Sequence, residues 1–64
     1  MNGQIEIGDR VIDGVTGIST VVVDTDEVDG ETYYLLDDLP TSDDYPTAWR
    51  WDDEIVLTGK RTVH

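Results

Sequence analysis

A chain of 64 residues holds one domain, and a domain this short buries only about 60% of the surface its unfolded form exposes, so its stability margin is thin. It has no Cys, which excludes a disulfide framework or a thiolate metal knot and suits a cytosolic protein. Eleven Asp and four Glu against three Arg and one Lys give a formal net charge of −11, a surface that repels nucleic acid and anionic membranes.

The opening Met1-Asn2-Gly3-Gln4 lacks the basic-then-apolar order of a secretory signal, and no stretch approaches the ~20 apolar residues that cross a bilayer. The chain therefore reads as soluble, unprocessed and cytoplasmic. High net charge with modest hydrophobicity is also the signature of disorder. Against that, Val, Ile, Leu, Tyr and Trp gather in short β-branched or aromatic runs separated by Gly, Asp and Pro, the pattern of strands and turns. No window carries helical i, i+3, i+4, i+7 apolar spacing, so no helix beyond a single turn is expected.

Five strands follow in chain order. The first covers Arg10 to Ile12, with Ile5 and Ile7 alternating about Glu6 as an extended lead-in. The second runs from Ile18 to Glu27 and the third from Glu31 to Asp37. Between them Asp29-Gly30 is a preferred pair for a two-residue type I′ turn, because both central residues need positive φ. That turn opposes Val28 to Glu31 and predicts a core face of Val21, Val23, Thr25, Tyr34 and Leu36. The other face collects Val22, Asp24, Asp26, Tyr33, Leu35 and Asp37. Tyr33 and Leu35 there either form a contact surface or lie under the lead-in segment. Asp38 to Pro46, with Pro40 and Pro46, reads as a surface loop. The fourth strand is Thr47 to Trp51, where Trp49 and Trp51 share one face and Arg50 points the other way. The fifth is Glu54 to Thr58, with Ile55 and Leu57 on one side, and residues 58–64 read as a flexible tail.

This order of elements resembles the SH3-like small β-barrels, especially the KOW-type variety. Gly8-Asp9-Arg10-Val11 is similar to the entry strand of that class, Gly14-Val15-Thr16-Gly17 to its glycine-bearing first loop and Val21-Val22-Val23 to the strand that follows. Trp51-Asp52-Asp53-Glu54-Ile55-Val56-Leu57 is similar to its last two strands and their tight turn. The resemblance covers most of the chain and implies an all-β, five-stranded SH3-like small barrel spanning 1–64. It does not bring nucleic-acid binding with it, because loops that are basic in KOW domains carry Asp13, Asp24, Asp26 and Asp29 here. The Ala-Leu-Tyr-Asp-Tyr-like signature of peptide-binding SH3 domains is also missing.

Catalysis has few parts to work with. His64 is the lone histidine, at the C-terminus, and Ser19 and Ser42 are the serine nucleophiles, so no nucleophile, base and orienting group assemble in the usual way. The chain reads as a non-enzyme without a cofactor. Asp24-Thr25-Asp26 begins like a calcium loop of the EF-hand type. The pattern then fails at Val28, Asp29 and Leu35, where a ligand, Gly and Glu belong, so no metal site is expected. Trp49 and Trp51, with Tyr33 and Tyr34, offer material for an aromatic cage around a cation such as methyl-lysine, although in so small a fold at least one Trp belongs to the core.

The function expected from these features is a non-catalytic protein-binding module, virus-encoded in one reading, whose acidic surface docks on a basic site of its target. One version is an inhibitor that mimics the phosphate backbone of DNA. The residues expected to carry it crowd the second-to-third-strand hairpin (Asp24, Asp26, Glu27, Asp29 and Glu31) and the following loop (Asp37, Asp38, Asp43 and Asp44), joined by Tyr33 and Leu35. The rival is a small structural subunit of a virion or other assembly, packing through apolar and sheet-edge contacts, with homo-oligomers open to it. Neither reading involves direct contact with nucleic acid or membrane. A third explanation, solubility alone or in a salty cytoplasm, accounts for the charge without any partner.

Overall fold

The computed structural model of the protein describes residues 5–60. Within them the chain forms β1 (Arg10–Asp13), β2 (Ser19–Val28), β3 (Glu31–Leu36), β4 (Trp49–Trp51) and β5 (Ile55–Gly59), with a single 3₁₀ turn, Asp52–Glu54, between the last two. All four ladders are antiparallel, and the strand order is β4-β3-β2-β1-β5. The fold is thus all-β, as the sequence predicts. No ladder joins β4 to β5 among the described residues, so the sheet is not closed into the expected barrel. Nor is any helix among those residues long and apolar enough to cross a membrane.

Asp29 and Gly30 adopt φ of 53° and 81°, the backbone of the predicted type I′ turn. The pairs Val28↔Glu31, Asp26↔Tyr33 and Thr25↔Tyr34 follow in the expected register. Further from the turn the register slips: Asp24 pairs with Leu35 but Val22 with Leu36, because a bulge inserts Val23. One extra residue reverses the facing of everything beyond it. Val22 is therefore 1% exposed in the core while Val23 is 43% exposed, the opposite of the expected facing, and Val21 is only half-buried. Thr25 lies on the predicted side but is exposed, because the hairpin tip projects past the core.

The core is Val11, Val22, Tyr34, Leu36, Leu39 and Ile55, with Ile5, Ala48 and Leu57 packed against it. β2 belongs to two ladders, its first residues pairing with β1 and its later ones with β3, and the bulge lies where it passes from one to the other. Gly14 fixes the join between β1 and the 3₁₀ turn: its N–H donates to the Glu54 carbonyl at 2.7 Å, and a Cβ there would lie 2.8 Å from that oxygen. β5 extends through Gly59, and Lys60 pairs with Asp9 at 2.8 Å and Glu6 at 3.5 Å, so the chain is tied down beyond the expected start of the tail. Residues 61–64 lie outside the described region.

Candidate functional site

Position 50 decides which way β4 faces. Arg50, expected only to point away from the two Trp, is 1% exposed, and its guanidinium reaches Asp13 through Nε–Oδ1 at 2.9 Å and Nη2–Oδ2 at 3.4 Å. Nη1 donates to the carbonyls of Thr47 and Trp49, and the group lies 5.3 Å from the Tyr45 ring centre. Asp13 is correspondingly no loop carboxylate. It is fully buried, and it also accepts from the N–H groups of Val15 and Thr16 and from the Thr16 hydroxyl. Burial works to raise its pKa, but the Arg50 guanidinium, the Thr16 hydroxyl and the two N–H groups outweigh it and hold the carboxyl below the usual aspartate range.

With Arg50 anchored inward, alternation sends Trp49 and Trp51 to the outer face of the sheet, both half-buried, so neither is a core residue. Leu36 N–H donates to the Ala48 carbonyl, which makes Leu36 and Ala48 a hydrogen-bonded pair. By alternation Tyr34 and Arg50 form the next such pair, and Tyr33↔Trp51 and Leu35↔Trp49 fall at the closer, non-hydrogen-bonded positions. Tyr33 and Trp51 accordingly meet with ring centres 3.6 Å apart at a 37° tilt.

Each row across the outer face thus runs from an acid through an apolar residue to an indole: Asp26, Tyr33, Trp51 and Asp24, Leu35, Trp49. Val28 and Glu31 form a further row toward the turn. A groove of about 240 Å³, open to solvent, lies among Asp26, Val28, Tyr33 and Trp49. Tyr34, grouped with these rings as cage material from sequence, points to the other side and belongs to the core.

The structure gathers Asp24, Asp26, Glu31, Tyr33 and Leu35 on this face. Glu27 takes the opposite face and Asp29 the turn tip. Asp37 and Asp38 follow the far end of β3, where they line a second groove with Arg10 and Ile18. Asp43 and Asp44 are exposed in the connection to β4. The sequence-expected group omits Trp49 and Trp51, although matching alternation in Tyr33-x-Leu35 and Trp49-x-Trp51 signals a shared face. No cluster of three or more His, Cys, Asp or Glu is placed to hold a metal ion among the described residues.

Hydrogen bonding also takes up outward N–H groups along the edges of this part of the sheet. Along β2 beyond the β1 ladder, the outward N–H groups of Thr25 and Glu27 are taken at 2.8 Å by the Asp24 and Asp26 carboxylates. On β4 the outward N–H groups of Trp49 and Trp51 donate to Thr47 Oγ1 and Glu54 Oε1, and the Trp49 carbonyl accepts from Arg50. Side chains thereby blunt the donor groups of both edges.

Compared with protein-family models, curated proteins and solved structures, the chain finds no match.

Proposed function

We propose that this chain is a non-catalytic protein-binding module on an SH3-like scaffold, and that the outer face of β2, β3 and β4 docks on a basic segment of a partner protein. The observation that carries this reading is the row pattern of acid, apolar residue and indole in a protein of net charge −11. Rings half-exposed beside carboxylates suit a basic side chain, whose apolar stem covers the ring while its charge meets the acid. The scaffold assignment is supported by the strand order, by β2 serving two ladders through a bulge and by the 3₁₀ turn between β4 and β5.

Phosphate mimicry is less well served, since the residues opposite Asp24 and Asp26 are Leu35 and Tyr33 and not a second line of acids. The packing-subunit reading keeps one supporting observation: Val56, 61% exposed on β5, pairs with exposed Ile12 on β1, away from the acidic face.

Capture of partners from native lysate with wild type and an Asp24→Lys, Asp26→Lys, Glu31→Lys variant separates the two. Docking through the acidic face requires a partner that is lost in molar salt and lost to the variant while its melting curve stays native. A partner retained in molar salt and released by Val56→Asp would transfer the function to the β1–β5 face.

A further inference from the structure

We infer that the groove among Asp26, Val28, Tyr33 and Trp49 is a seat for a single arginine side chain of the partner, an inference that rests on the docking face proposed above. Three features of the groove select guanidinium over other cations.

First, one ring of the groove is already held: Tyr33 lies against Trp51 with ring centres 3.6 Å apart, so a planar cation stacks on its other face without ordering it first. Second, the groove is an open trough and not a box. A trimethylated ammonium gains most when rings surround it, whereas a guanidinium needs one flat face and one edge contact. Third, the acid is at the rim. Asp26 Oδ1 is engaged by the Glu27 N–H, which orients the carboxylate and leaves Oδ2 to accept from the guanidinium edge. Lysine would gain the charge interaction but lose the stacking. Val28 gives the methylene stem an apolar wall.

The test titrates the intact protein with oligoarginine, oligolysine and oligo-trimethyllysine of equal length and charge, following the indole N–H signals of both Trp by NMR. Oligoarginine should bind about fivefold or more tighter than either lysine peptide and shift Trp49 most. Trp49→Leu should bring it down to the oligolysine level, and Asp26→Asn should weaken all three. The wild-type comparison stands even if Trp49→Leu proves unstable. Equal affinities for arginine and lysine peptides would overturn the arginine seat while leaving a basic docking face in place. Preference for trimethyllysine would replace it with an ammonium site. Absence of any binding at low salt would remove the docking face itself.

Discussion

Five donors converge on the carboxylate of Asp13, two of them from the guanidinium of Arg50, and both side chains are shut away from solvent. A buried pair of this kind adds little net stability over an apolar substitute, but removing one member strands the other charge and costs about 3–5 kcal/mol. That is comparable with the whole stability expected of so small a core, roughly 3–5 kcal/mol. Asp13→Asn and Arg50→Met should therefore each abolish the cooperative melt, and the double variant should restore much of it. A native melt for Asp13→Asn alone would show that the pair is not needed. The pH dependence has a definite sign: because the folded pKa lies below the unfolded value, the contribution of Asp13 is complete above the unfolded value of about 3.9 and is lost as the pH falls through the folded one. Urea melts across the acid range should show a loss at the low end for wild type that is flattened in the double variant. This residue pair was beyond reach of sequence reasoning, since an Asp before Gly14 in an acidic chain looks like any turn carboxylate. Its partner stands 37 positions away.

The β2–β3 hairpin shows what a local signal can and cannot establish. Asp29-Gly30 gave the turn type and the pairing of the ten residues nearest to it, because the positive φ requirement is met within the turn itself. The bulge at Val23 carries no such mark: Val21, Val22 and Val23 are chemically alike, and which one is left out of the pairing depends on β1 pairing with the start of β2. The core face was therefore right at Tyr34 and Leu36 and wrong at Val21 and Val23. The aromatic face was legible in part, since alternation in β3 and β4 is intact, but placing the two Trp outside required knowing that the arginine between them is the buried residue. The bulge makes a sharp test. Leu36→Asp should unfold the domain, because an unpaired carboxylate in the core costs several kcal/mol. Val23→Asp, on the exposed side, should change stability by about 0.5 kcal/mol or less. Equal damage from both substitutions, read by thermal melts, would return Val23 to the core and remove the bulge.

Over the molecule as a whole, charge is the dominant fact, since fifteen acids outnumber four bases. Arg50 is used inside, Lys60 is shared by Asp9 and Glu6, and Asp24, Asp26, Glu27, Asp29 and Glu31 stand exposed along one hairpin. Such crowding destabilises the compact state through self-repulsion, which dissolved salt screens once the Debye length falls below the spacing of the charges. The melting temperature should rise from low salt upward in sodium chloride. The buried Arg50–Asp13 pair is protected from screening, and the half-exposed Lys60 contacts are individually weak, so neither should reverse the trend. The shape of the rise identifies its cause. Screening has done most of its work by about 0.5 M, where the Debye length is near 4 Å, whereas exclusion of salt from the protein surface continues to act in proportion to concentration. A steep early gain that levels off is the outcome expected for self-repulsion, and the Asp24→Lys, Asp26→Lys, Glu31→Lys variant should show a smaller one. A melting temperature that stays flat or falls between low and molar salt would mean that the carboxylates are held far enough apart to cost nothing, and the hairpin's acidity would then need no attractive partner to offset it.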